Sequence, residues 1–330
     1  MDVKFIRQGG RIALHPDCEP ALVALPPWRR HALHHRICGT LYAHQGARAA
    51  TGDPELAETG IAVVRKVLSK KDAAALSRRA GQAIEASGGH QDPVANPDNA
   101  AQAVACDPAL RRSVVEALPT ILDDRRTALL ERYFGSHFRI DNLRIYRTYP
   151  SAESTVSFRW HRDAAPMAQV HIMLYLTDSG DESGSTSFLD LEQTRLAARA
   201  GYYYPHISKR TGDIKEVFAG TRHKPKVNRP KVKAGDAIIF AAPRVLHCGN
   251  LPAAGFRDVL LLVLLPSLMP WRRDVEDINP DYLFITDSKS TLLTNPYKLC
   301  NPTVASEVLS GKSPDLEPWV CEGDLFPADL

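Results

Sequence analysis

The chain has few of the features that would fix its class at a glance. Its six cysteines stand at positions 18, 38, 106, 248, 300 and 321 without a single CxxC pair. That spacing excludes a zinc ribbon and a disulfide framework and fits reduced thiols. Long apolar runs are missing as well. The longest, Val259 to Leu265, is far too short to span a bilayer, and Met1 to Leu14 holds no apolar core of signal-peptide length. A soluble, cytoplasmic protein is the expectation. Charge of one sign is scarce too: a net +3 over 330 residues gives no reason to expect a nucleic-acid partner. There is no internal repeat and no His-Glu-x-x-His, Gly-x-Gly-x-x-Gly or Asp-Phe-Gly. These absences speak against zincin-type hydrolysis and against a kinase, although His161-Arg162-Asp163 opens like a kinase catalytic loop.

What is present is enough apolar residue, 44%, for a substantial core. Residues 1–54 read as an N-terminal extension, broken early by Pro16, Pro20, Pro26 and Pro27. From Trp28 to Ala47, Leu33, Ile37 and Leu41 recur every fourth residue among Arg29, Arg30, His31, His34, His35 and Arg36. This pattern predicts a basic amphipathic helix that docks on the main domain, or meets a membrane surface or a second copy. The oligomeric state stays open.

Residues 55–266 form the main domain. Gly60 to Arg65 reads as a strand, and Ser69 is placed to cap a helix running to Ser87. Ala100 to Ala105 and Pro108 to Phe134 read as helical. Beyond Gly135 strand-like runs take over: Phe138 to Asp141, Asn142 to Tyr149, Phe158 to Arg162, Ala168 to Leu176, Ser185 to Leu189, Val232 to Phe240 and Asp258 to Leu265. The fold class is therefore α+β, mainly β. Its expected core is a double-stranded β-helix, the cupin-like jelly roll, flanked by helices. Residues 192–231 interrupt the strands as a lid-like insertion, and residues 267–330 form a proline-rich C-terminal extension expected to wrap the core.

The stretch Phe158-Arg159-Trp160-His161-Arg162-Asp163 carries the chemistry. On an extended strand, residues two apart share a face, so His161 and Asp163 can ligate one ion. Taken alone, such a pair is more often an ordinary surface feature. A third ligand is available in His247, which follows the buried-strand motif Gly235-Asp236-Ala237-Ile238-Ile239-Phe240. Ten residues beyond it, Arg257 heads the most apolar strand of the chain, where a guanidinium needs an anionic partner.

In this order Trp160-His161-Arg162-Asp163, Gly235 to Phe240, His247-Cys248-Gly249-Asn250 and Arg257 resemble the iron(II)- and 2-oxoglutarate-dependent dioxygenases, and among them the phytanoyl-CoA dioxygenase-like branch. The resemblance covers about Leu56 to Pro266. It implies that His161, Asp163 and His247 hold Fe(2+) as the catalytic centre, with adjacent coordination positions left for 2-oxoglutarate and O2. It further implies that Arg257 pairs with the distal carboxylate of 2-oxoglutarate, and that an unactivated C–H bond is hydroxylated with release of succinate and CO2. Asp163 argues against a halogenating relative, since halide would need that carboxylate replaced by a small residue.

Alternation along Gln169 to Tyr175 puts Gln169, His171, Met173 and Tyr175 on one face. Tyr175 then either hydrogen-bonds 2-oxoglutarate or serves the core, and His171 is a candidate substrate contact. Where the family often carries serine two residues after the second histidine, this chain has Gly249. The insertion holds a basic tract that includes Lys224, Lys226 and Arg229, either a solvated loop or the recognition element for an anionic small-molecule substrate. The alternative to an enzyme is a non-catalytic metal-binding jelly roll acting as sensor or binding module.

Overall fold

In a computed structural model the chain is described over residues 5–8, 11–14, 27–44, 54–89, 91, 96 and 100–284, apart from 164–165, 181, 268 and 278–282. The C-terminal extension beyond residue 284 lies outside the described residues. Ten strands are described: β1 (Phe5–Gln8), β2 (Arg11–Leu14), β3 (Ile61–Val64), β4 (Ala101–Ala103), β5 (His137–Thr148), β6 (Val170–Tyr175), β7 (Thr186–Phe188), β8 (Ala237–Phe240), β9 (His247–Gly249) and β10 (Arg257–Ser267). The helices are α1 (Pro27–His44), α2 (Pro54–Thr59), α3 (Lys70–Ala86), α4 (Pro108–Ile121), α5 (Asp124–Phe134), α6 (Leu191–Arg199), α7 (Ile214–Phe218) and α8 (Trp271–Asp277). Strands β1 and β2 pair with each other, in a stretch expected to be irregular.

A six-stranded antiparallel sheet in the order β3-β8-β6-β10-β5-β4 organises the rest. Its strands alternate, and each face has its own core. Val170, Ile172 and Leu174 of β6 and Leu260, Leu262 and Leu264 of β10 point to one side. There they meet Leu76, Ala80 and Ile84 of α3, Leu110, Val114 and Leu118 of α4 and Leu130 and Phe134 of α5. The opposite face offers Tyr175, Ile238, Phe240 and Val259 to Phe188 of a two-stranded β7-β9 sheet, with the Phe188 and Phe240 rings 5.0 Å apart. A third cluster backs the small sheet, joining Trp160, Leu246 and Cys248 to Ala197 of α6 and Ile214 and Phe218 of α7. The order is thus helices, large sheet, small sheet, insertion.

Capping follows the sequence. The Ser69 side chain accepts from the Asp72 backbone N–H at 3.1 Å at the start of α3, as read from sequence. Three expected elements differ. Ala100 to Ala105 is not helical: Ala101–Ala103 is an edge strand, paired with the end of β5. The run Pro108 to Phe134 is broken by the Asp123 cap into α4 and α5. The two expected strands Phe138 to Asp141 and Asn142 to Tyr149 are one strand. Opposite Val263 and Leu264 of β10 stand Asn142 and Ile140, so Asp141 is the extra residue of a β-bulge. The insertion 192–231 is not a bare loop, since it carries α6 and α7 and pairs Asn228 with Phe188.

Helix α1 docks. His31, Ala32, His34, His35 and Cys38 are buried, and a ring nitrogen of His35 donates to the Phe134 carbonyl at 2.6 Å. The side chains of Leu33, Ile37 and Leu41 lie outside the described residues. Among the described residues no helix is long and apolar enough to cross a membrane.

Candidate metal centre

His161 was expected on a strand, but Val156–Phe158 is a turn of 3-10 helix and His161 makes only an isolated bridge. The difference is local, and the bridge is what builds the site. His161 and His247 exchange both backbone hydrogen bonds, each 2.9 Å, which sets their side chains next to each other with ring centroids 4.3 Å apart. Asp163, two residues on, brings Oδ1 to 3.5 Å from Nε2 of His161 and 3.8 Å from Nε2 of His247. One donor atom from each of the three lies within 4.8 Å of the other two, close enough for a single ion.

The imidazoles are oriented from behind. Nδ1 of His161 donates to the Arg159 carbonyl at 2.7 Å, and Nδ1 of His247 donates to the Val245 carbonyl at 3.0 Å. A carbonyl can only accept, so both rings carry hydrogen on Nδ1 and turn Nε2 to the centre, the arrangement that tunes a ligating histidine. Burial, with the adjacent His161, holds His247 down to about 3. Burial alone would push the Asp163 carboxyl up, but the imidazoles of His161, His247 and His171 set around it outweigh that and hold it well below the usual carboxylate range. A base without its proton beside an ionised carboxylate is the state a divalent metal requires.

The neighbouring Arg162 faces away. Its Nε donates to the Pro243 carbonyl at 2.7 Å and its guanidinium lies 4.4 Å over the Tyr204 ring. Trp160 is buried on the small sheet's outer side. His171 reaches the site from β6, with Nδ1 3.6 Å from Oδ2 of Asp163 and Nε2 sharing a 3.1 Å hydrogen bond with the Gln169 amide. It therefore lies against the carboxylate.

Arg257 is buried and bonded only to neutral acceptors. Nη1 donates to the carbonyls of Gly184 and Asn250 at 2.9 and 3.1 Å, and Nη2 to Oγ1 of Thr148 at 3.1 Å. Its Nε is buried with no partner, and among the described residues no carboxylate pairs with it. Gly184 can present its carbonyl here because, at φ +69°, it packs a bare Cα against the backbone of Asn250 and Leu251. Tyr175 is fully buried, its hydroxyl 3.1 Å from Oγ1 of Thr186. Arg229 is half-buried and donates to Oγ of Ser185 at 3.1 Å, whereas Lys224 and Lys226 are exposed. Thr148 and Thr186 carried no signal in the sequence, because their roles depend on which strands pair.

No protein-family model and no curated protein matches the chain. Among solved structures it is similar to the epimerase SnoN in complex with Fe3+, alpha ketoglutarate and nogalamycin RO, at 15% identity over 71% of this chain and 84% of that one, TM-score 0.45. HygX from Streptomyces hygroscopicus with nickel and 2-oxoglutarate bound gives 14% identity over 65% and 86%, TM-score 0.45. EctD from S. alaskensis with 2-oxoglutarate and 5-hydroxyectoine gives 17% over 69% and 77%, TM-score 0.44. With TM-scores below 0.5 the likeness decides neither fold nor activity.

Proposed function

We propose that the chain is an iron(II)- and 2-oxoglutarate-dependent oxygenase whose large and small sheets are the two walls of a jelly roll. The observation that carries this reading is the pairing of two features on neighbouring segments, with Arg257 bonded to the Asn250 carbonyl just beyond the strand that carries His247. One is a His161-Asp163-His247 donor set of two imidazoles and one carboxylate, which suits iron(II) and leaves positions for other ligands. The other is Arg257, a buried guanidinium with an orphaned Nε. A cation shut away among neutral acceptors calls for an anion, and the dicarboxylate co-substrate supplies one. Zinc hydrolysis would give Arg257 no role.

When bound, the metal would supply oxidative decarboxylation of 2-oxoglutarate by O2, giving succinate and CO2 with one oxygen atom delivered to an unactivated C–H bond. The residues do the rest. His161, Asp163 and His247 hold the ion, their rings aimed by the Arg159 and Val245 carbonyls. Arg257 fixes the far carboxylate and so the direction of the co-substrate, and Tyr175, whose hydroxyl lies 3.1 Å from Oγ1 of Thr186, is the candidate for a further hydrogen bond to it. The apolar rings of Phe188 and Phe240 beside His247 keep water from the centre. Hydroxylation is the outcome proposed, and the phytanoyl-CoA dioxygenase-like resemblance rests on motif order alone.

The test is iron(II)-dependent conversion of 2-oxoglutarate to succinate, with and without a panel of small anionic metabolites. His161→Ala should weaken metal binding by about a hundredfold or more and abolish turnover. No turnover with any substrate and no effect of added iron overturns the assignment and leaves a binding module, while a His161→Ala protein that binds iron(II) as tightly as the parent removes His161 from the site.

A further inference from the structure

The insertion grips the ligand-bearing segment itself. The Tyr202 hydroxyl donates to the Trp160 carbonyl at 2.8 Å and accepts from the Thr211 N–H at 3.0 Å, while the Trp160 N–H donates to the Thr211 carbonyl at 2.9 Å. Tyr204 closes the other side, its hydroxyl donating to the Pro243 carbonyl at 3.1 Å. Residue 210 is thereby held beside the backbone of His161.

What stands there is an arginine. Nη1 of Arg210 donates to the Val156 carbonyl at 3.1 Å, and its Nε is buried without a partner. Val156 presents that carbonyl from φ +40°, a conformation that costs a β-branched residue energy. The acids nearest in sequence are used elsewhere: Asp213 caps α7 by accepting from the Lys215 N–H, and Glu216 accepts from the Thr211 hydroxyl. Among the described residues no carboxylate forms an ion pair with Arg210. It lies within electrostatic reach of Asp163, and burial lowers its pKa. A half-buried guanidinium with a donor unused, one residue from the Thr211 carbonyl that pairs with Trp160 beside His161, is placed to take an anion. Arg257 is held by different elements, the Gly184 turn and β5, so the two cations mark two sites.

We propose that Arg210 anchors a carboxylate or phosphate group of the molecule this site oxidises. The inference rests on the oxygenase reading and names the substrate class for it. It also moves substrate recognition away from Lys224 and Lys226, whose side chains are exposed.

The test uses the full chain loaded with manganese(II) in place of iron and with 2-oxoglutarate. Inorganic phosphate is followed by phosphorus NMR and acetate by carbon NMR, since an anion held beside the paramagnetic ion broadens. The wild type should broaden at least one of the two anions saturably. Arg210→Gln should raise the half-saturating concentration by about tenfold or more, as expected for a charge-assisted hydrogen bond. Arg210→Lys should fall between, and Arg222→Ala, exposed on the same tract, should match the wild type. Melting curves confirm that each variant is folded. The inference is overturned if the wild type broadens neither anion, if Arg210→Gln leaves the broadening unchanged, or if it weakens 2-oxoglutarate equally. If the wild type takes up neither manganese(II) nor 2-oxoglutarate, the oxygenase reading itself fails.

Discussion

At Gly249 the missing side chain lets Phe158 lie against the strand that carries His247. A Cβ there would meet Cδ1 and Cε1 of Phe158 at 3.0 and 3.2 Å, tighter than packed carbons tolerate. Gly249→Ser, which restores the residue often found at this position in the resembled family, should therefore cost about 1–3 kcal/mol from overpacking. It should also disturb the His161-His247 bridge, so metal affinity falls together with the melting temperature. A variant that melts like the parent would show that Phe158 yields freely. His161, Asp163 and His247 were legible in the sequence because their chemistry is scarce and their order distinctive. Arg210 was visible only as one more cation in a basic tract, and its position depended on a tyrosine hydroxyl eight residues away. His171, a candidate substrate contact in the sequence, has its ring beside Asp163 at 3.6 Å, a neighbour that strand alternation alone does not name.

Among the elements, α3 and the large sheet are joined by a buried charge pair. Arg147 of β5 grips Asp258 of β10 with two bonds of 2.7 and 2.6 Å, and the Ser77 hydroxyl of α3 donates to the same carboxylate at 2.5 Å. Asp258→Ala leaves Arg147 buried and unpaired, so it should destabilise the protein by about 3–5 kcal/mol. Denaturant unfolding reads this directly, and a loss below 1 kcal/mol would mean that water replaces the carboxylate. The pair escaped the sequence because its partners lie on strands whose register no local pattern reveals. Local propensity failed for a related reason at Ala101–Ala103, where alanine favours a helix but pairing with β5 makes a strand. It succeeded at Ser69, where the cap is a contact three residues long.

For the whole molecule, helix α1 closes over buried imidazoles, which makes the fold sensitive to acid. Burial, opposed by the Phe134 carbonyl, lowers His35 to about 4, and burial holds His34 well below its usual value of 6.5. Above pH 6.5 these rings are neutral whether folded or not, and they add no pH dependence. Below it the unfolded chain takes up protons that the folded chain refuses, so stability falls by about 1.4 kcal/mol per pH unit for each such group. For His35 the fall continues to about pH 4. Unfolding free energy should drop steeply over this range, and the His35→Gln variant should show a slope about one proton shallower. The layering of helices, large sheet, small sheet and insertion was foreshadowed by helical runs preceding strand runs, although the pairing order within the large sheet was not.

Arg257 gives the fold an internal conflict: a cation enclosed by oxygen atoms that bear no full charge. Folding tolerates that conflict, and an anion relieves it. On the proposed function the protein should then behave as a thermometer for 2-oxoglutarate, which at a hundred times its Kd adds about 2.7 kcal/mol by mass action. Simple divalent anions such as sulfate should imitate part of the rise without any metal present. Arg257→Leu should answer to neither in a melting experiment, and a variant that still responds would place the co-substrate's far end elsewhere.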